Sequence, residues 1–144
     1  MTSVLVATER FGELEVDDER VLDFPEGLPG FREARRFVMV EVPENDVFFW
    51  LQSLDDPSLA FLCTVPWPFF PDYEPELPET DQEALELTEA SDAMVLCLLT
   101  VRREEQEVTA NLLGPLVVNQ RTRTGRQVVL ADSTWPLRAP LSAA

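Results

Sequence analysis

FFWLQSLDDPSLAFLCTVPWPFFPDYE, residues 48–74, holds 8 of the 13 aromatic residues and 4 of the 12 prolines of a 144-residue chain. Apolar, β-branched and aromatic residues dominate Phe48–Ser53 and Leu59–Val65, as strands packed on a core require. Between them, Leu54-Asp55-Asp56-Pro57-Ser58 is turn chemistry. Asp bonds its own backbone and Pro presets φ near −65°. Pro66, Pro68 and Pro71 then follow within six residues. Proline cannot donate to a central ladder, so this segment runs along an edge or leaves the sheet. It carries four large rings with it: Trp67, Phe69, Phe70 and Tyr73.

Outward from this stretch, short apolar runs recur between turn signals. Ser3–Thr8, Leu14–Val16, Val21–Phe24 and Phe37–Val42 read as strands, with turns at Arg10–Glu13 and Glu44-Asn45-Asp46. Phe24-Pro25-Glu26-Gly27-Leu28-Pro29-Gly30-Phe31 reads as an irregular loop anchored by a Phe at each end, and Arg32–Arg36 as one helical turn. Thr80-Asp81-Gln82-Glu83 matches a capping box, with Thr80 as N-cap of a short helix reaching Leu87. Ala93–Val101, AMVLCLLTV, is a central strand. Val108–Leu113 and Leu116–Asn119 flank Gly114-Pro115, with Asn111 placed to satisfy local backbone groups. Arg126–Leu130 is a last strand, reached through the loop 121–125. Residues 131–144 form an irregular tail that Trp135 is best able to dock. One domain of mainly β structure follows, an antiparallel barrel or sandwich with one or two short helices.

The 27 acidic residues face 11 basic ones, all arginine, and there is no histidine, so the net charge is −16. Such a chain repels phosphate, which argues against direct nucleic-acid or anionic-membrane contact. It attracts basic partners and disfavours self-association, pointing to a monomer. Solubility alone is the competing explanation. The charge is uneven: residues 108–144 carry one acid, Asp132, against four arginines. That quarter is expected to present a different face. No apolar run approaches the ~20 residues of a membrane-spanning helix, and no secretory signal precedes Ser3, so a cytoplasmic location is expected. Cys63 and Cys97 read as small buried thiols of a reduced protein, and their pairing is left open.

Catalysis is hard to assemble without His or Lys. Asp72 and Glu74 share one face of an extended segment and are the best acid/base pair on offer. With so many acids, a solvated surface is the stronger reading. Two thiols without histidine do not complete a zinc site. Asp17-Asp18-Glu19 lacks calcium-loop spacing, and Gly27-Leu28-Pro29-Gly30 is no phosphate cradle. No cofactor, metal or catalytic residue is therefore expected. The rings of Trp67–Tyr73 either cap the core or stand out as protein-binding anchors among acids, with a division between the two roles expected.

Several segments together resemble the FliW family of flagellar assembly factors. They are Phe11-Gly12, Phe24–Phe31, Trp50-Leu51-Gln52-Ser53-Leu54-Asp55-Asp56-Pro57, Phe69-Phe70-Pro71-Asp72-Tyr73, Thr109-Ala110-Asn111-Leu112 and Gly125-Arg126-Gln127-Val128-Val129-Leu130. They occur in the family's order from Phe11 to Leu130. Trp135-Pro136-Leu137-Arg138-Ala139 departs from the family's more usual Tyr- and His-containing ending. The resemblance implies a cytoplasmic β-barrel-like protein without catalysis. It also implies binding to flagellin and, when flagellin is exported, to the RNA-binding translational repressor CsrA, which relieves repression of flagellin synthesis. Trp67, Phe69, Phe70 and Tyr73 are the candidate apolar contacts. Asp55, Asp56, Asp72 and Glu74 are the candidate contacts for a basic partner. The competing readings are a carboxylate enzyme at Asp72 and Glu74, with a concave pocket around both, and a generic acidic chaperone.

Overall fold

A computed structural model describes residues 3–28, 30–44 and 47–141. The expected turn at Glu44-Asn45-Asp46, Pro29 of the Phe24–Phe31 loop and the last three residues of the tail lie partly or wholly outside that range. In chain order the elements are β1 (Ser3–Thr8), β2 (Gly12–Asp17), β3 (Val21–Asp23), β4 (Arg36–Glu41), β5 (Phe48–Ser53) and β6 (Ala60–Thr64). Next come α1 (Glu79–Ala84), β7 (Ala93–Arg102), β8 (Glu107–Ala110), β9 (Leu116–Asn119), β10 (Thr124–Gln127) and β11 (Ala139–Pro140).

β3 to β7, β10 and β9 close into a seven-stranded barrel, because β7 pairs with both β6 and β9. Six of its seven seams are antiparallel. β10 runs parallel to β3 through the single registered pair Thr124–Asp23. β1 and β2 form a separate hairpin. Its turn docks on the barrel where Arg10 lies 4.2 Å over the Trp50 ring and Phe11 meets that ring edge-on.

β7 explains the architecture. Its even residues, Met94, Leu96 and Leu98, pack inside the barrel with Phe24, Phe37, Leu51 and Leu116. Its odd residues, Ala93, Val95, Cys97 and Leu99, pack in a second core outside it, with Tyr73, Leu85, Leu112, Val117 and Trp135. A strand apolar on both faces needs cover on both. The chain from Pro66 to Ala90 and the tail provide the outer cover. Cys63 packs inside the barrel and Cys97 outside it, so the two thiols face opposite ways and both are free. Burial pushes each thiol up to about 12, with the neighbouring Cys97 adding to the effect on Cys63.

Several local expectations are corrected. Arg32–Arg36 is not helical. The carboxylate of Asp55 accepts the backbone N–H groups of Arg35 and Arg36 at 2.9 and 3.0 Å and draws them into the start of β4. Of the loop's two phenylalanines, Phe24 is fully buried but Phe31 is 44% exposed, with its ring against Phe61. α1 begins after Pro78, not Thr80. The Pro78 carbonyl accepts from Asp81 and Gln82, and no side chain caps the helix. The last barrel strand starts two residues early and stops at Gln127. Beyond it, Val128 donates to Pro115, which has no N–H to return. The tail is not wholly irregular: β11 pairs with β8, and Trp135 packs edge-on against Tyr73 at 4.8 Å.

Gly27 shows how tightly the Phe24–Phe31 loop is drawn. Its φ is +68°, and a Cβ there would lie 2.5 Å from the backbone of Arg32. Gly27→Ala is expected to cost about 2 kcal/mol or more through strain and collision together, read as a lowered denaturant midpoint. The two thiols are expected to stay inert to Ellman's reagent at pH 8 in the folded protein and to react on unfolding.

Candidate protein-binding surface

The strap that covers the outer core begins at Pro66. Two successive turns shape it: Phe69 and Phe70 donate to the Pro66 carbonyl, and Tyr73 donates to that of Phe70. The ring division expected of this segment is what the structure holds. Tyr73 is 1% exposed and its hydroxyl donates to the Leu112 carbonyl at 2.7 Å. It serves the core and offers a partner no surface. Phe70 is half-buried on the outer core, and Phe69 stacks on Phe48 at 5.6 Å. Trp67 is 39% exposed. Its indole N–H donates to the Tyr73 carbonyl at 2.9 Å, which ties the ring to the strap. Asp72 and Glu74 flank buried Tyr73, and both point outward. Glu74 borders a surface hollow with Asp132 and Trp135 that Asp72 does not line, so the two carboxylates do not share that hollow.

Asp55 and Asp56 lie elsewhere. They sit in the β5–β6 turn, whereas Trp67 follows the far end of β6. The five residues of β6 separate them, roughly 17 Å at the rise of a strand. Both also have local duties. Besides holding the Arg35 and Arg36 amides, Asp55 pairs with the Arg36 guanidinium at 3.5 Å. Partial burial pushes its carboxyl up, but those amides and Arg36 together pull it below the ordinary value. Asp56 accepts both the amide and the hydroxyl of Ser58. The Ser53 hydroxyl accepts the amides of Asp55 and Asp56, and the Gln52 amide group donates to carbonyls of the same turn.

Electrostatically, the strap is the more polarised surface. No basic residue occurs between Arg36 and Arg102. Two of the four arginines of the last quarter are engaged with acids, while Arg123 and Arg138 are exposed. Arg126 reaches Asp81 at 3.2 Å and Glu26 at 3.1 Å, and Arg121 reaches Asp92 at 3.7 Å and the Glu86 carbonyl at 2.9 Å. Asn119, fully buried at the end of β9, donates to the Leu85 and Glu86 carbonyls and accepts the Arg121 and Thr122 amides. These residues staple the far end of α1 to the barrel. They leave Glu74, Glu76, Glu79, Glu83, Glu86 and Glu89 exposed, with no salt bridge among the described residues. Sequence reasoning missed Asn119. The one available signal was a polar residue ending an otherwise apolar strand.

Tyr73→Phe leaves the buried Leu112 carbonyl without its donor and is expected to cost about 1–3 kcal/mol, read by chemical denaturation. Asp55→Ala is expected to cost about 1 kcal/mol at neutral pH. The folded pKa of Asp55 is depressed, so its contribution is complete above the ordinary value of 3.8 and is lost as pH falls below it. The two proteins are therefore expected to converge in stability at acid pH, measured by thermal melts across pH 2.5–7.

Known proteins converge on one identity for this architecture. A family model described as FliW protein matches residues 5–141. A flagellar assembly factor FliW of Bdellovibrio bacteriovorus is 41% identical over 138 residues, covering 96% of this chain and 79% of that protein. One of Moorella thermoacetica is 39% identical over 137 residues, covering 94% and 87%. A crystal structure of the flagellar assembly factor FliW superposes with a TM-score of 0.88 at 33% identity, covering 96% of both chains. With barrel, motifs and length all matching, the chain belongs to the FliW family.

Proposed function

We propose that this protein is a flagellar assembly factor that works by binding other polypeptides and carries out no catalysis. In this reading it acts as a monomeric single domain in the cytoplasm. It holds flagellin subunits before export; when flagellin leaves, it binds a CsrA-type RNA-binding repressor and relieves repression of flagellin synthesis. The observation that carries the reading is the strap itself. Trp67 is 39% exposed and tied to the strap by its own hydrogen bond, it shares a hollow with Glu89, and the same stretch of chain carries five more exposed glutamates without salt bridges among the described residues. Exposed aromatic residues of this kind anchor protein interfaces. A surface of one charge speeds encounter with a basic partner and makes that encounter sensitive to salt. Family membership supports the same reading, since the relatives above are named for flagellar assembly. Among the described residues no helix is long and apolar enough to cross a membrane.

Of the residues singled out from sequence, Trp67 is proposed as the principal contact. Phe69, Phe70, Asp72 and Glu74 border it, and Asp55 and Asp56 would contact only a partner large enough to span the β5–β6 hairpin. Titration calorimetry against purified flagellin and against the repressor tests the proposal. Both are expected to bind. Trp67→Ala is expected to weaken binding of at least one partner by roughly tenfold or more, about 1.4 kcal/mol. Repressor affinity is expected to fall as salt rises from 50 to 500 mM. Repressor binding that ignores salt, or full affinity in Trp67→Ala for both partners, would contradict it.

A further inference from the structure

Behind Trp67 the strap does not close on the barrel. Between it and the outer face of β7 lies a hollow of about 420 Å³. Trp67, Pro75 and Leu77 form one wall and Leu87 and Ala90 the other, with Ala93 and Val95 as its floor. The floor and walls therefore continue the outer core outward, as an apolar site left unfilled. An apolar cavity of roughly 150 Å³ admits a benzene ring, so this one has room for one or two large aliphatic or aromatic side chains.

The side-chain donors of Gln82 and Thr88 at its mouth are already engaged. The Gln82 amide group donates to the Leu77 carbonyl at 2.7 Å, and the Thr88 hydroxyl donates to Asp92 at 3.1 Å. Asp92 itself is fixed. Desolvation pushes its carboxyl up, but Thr88, the nearby amides and Arg121 together pull it below the ordinary value. Small polar ligands need convergent free donors and acceptors to orient them, and these two donors at the mouth are committed elsewhere. What it supplies is charge. Glu89 lines the hollow, and Glu83 and Glu86 lie on the neighbouring α1 segment, all three exposed.

We propose that this hollow receives an apolar side chain from a polypeptide segment flanked by Lys or Arg, with Trp67 and Leu87 gripping the anchor and Glu86 and Glu89 meeting the flanks. This rests on the reading of the strap as the partner-facing surface, and it names the part of that surface where an anchor enters. The charge limits the occupant. Glu83, Glu86 and Glu89 beside the mouth are exposed without salt bridges among the described residues. Of the arginines that reach this segment, Arg121 is engaged with Asp92 and the Glu86 carbonyl, and Arg126 with Asp81 and Glu26, so a basic flank is favoured over an acidic one.

The test fills the hollow from an exposed position. Ala90 is exposed, so Ala90→Trp places a ring at the mouth without replacing a buried residue, and Glu89→Arg reverses the rim. Three probes are titrated by calorimetry: purified flagellin, the purified repressor, and a synthetic hexapeptide with a Leu-Leu centre and an Arg at each end. Circular dichroism confirms that each variant is folded. Ala90→Trp is expected to weaken at least one protein partner and the peptide tenfold or more, and Glu89→Arg to weaken them threefold or more at low salt. If the wild-type protein binds flagellin or the repressor and Ala90→Trp binds both equally well, the hollow is not the entry point, and the proposed function stands. If the wild-type protein binds neither, that function falls. The hollow is then judged by the peptide alone: tenfold loss in Ala90→Trp upholds it, and no peptide binding overturns it.

Discussion

A strand apolar on both faces cannot end its burial at the barrel wall. β7 alternates strictly, its even residues filling the barrel and its odd residues needing an equal cover outside. Everything distinctive about the molecule follows from supplying that cover. The proline-rich strap crosses the outer face and inserts Tyr73 as its central plug, hydrogen-bonded to Leu112 and faced by Trp135 from the tail. β11 then pins the tail along β8. Prolines suit this task, because a strap laid across a sheet face makes few ladder bonds and gains from a chain with little freedom to lose.

The same cover sets the surface properties. A strap must turn outward between its plugs, and every charged residue it turns outward is acidic. Two of the four arginines of 108–144, Arg121 and Arg126, hold the strap down. Arg126 pairs with Asp81 on α1 and Arg121 with Asp92 beyond it, and Asn119 caps the carbonyls that follow the helix. Structural attraction thus neutralises the inner acids and leaves the outer ones for a partner. Trp67 is tied to the strap by the bond from its indole nitrogen to the Tyr73 carbonyl, which restricts the ring's freedom. Rigidity at an exposed anchor reduces the entropy lost on binding.

Much of the fold was legible from residue pattern. Phe48–Ser53, the extended apolar run at Ala93 and the departure of the chain at Pro66 follow from apolar and aromatic runs of strand length and from proline's missing donor. The division of the rings was legible too, though not which ring would go where. Sequence spacing could not reveal long-range staples. The motif Gln52-Ser53-Leu54-Asp55-Asp56-Pro57 looks like surface acid but is a self-stitched turn, with Ser53 and Asp55 accepting backbone amides from two directions. The Thr80–Glu83 capping box was overridden because Pro78, with its φ of −57°, already starts the helix and Asp81 is drawn to Arg126. The parallel β3–β10 contact and β11 depend on pairings between distant segments, which no local pattern encodes.

Hydrogen–deuterium exchange of the protein alone and mixed with purified flagellin measures most directly whether the strap is the surface that partners touch. Slower exchange across residues 67–95, with the β1–β2 hairpin and the 54–58 turn unchanged, is the predicted result. Slower exchange confined to the hairpin or to that turn, with 67–95 unaltered, would contradict a partner surface built on the outer cover of β7.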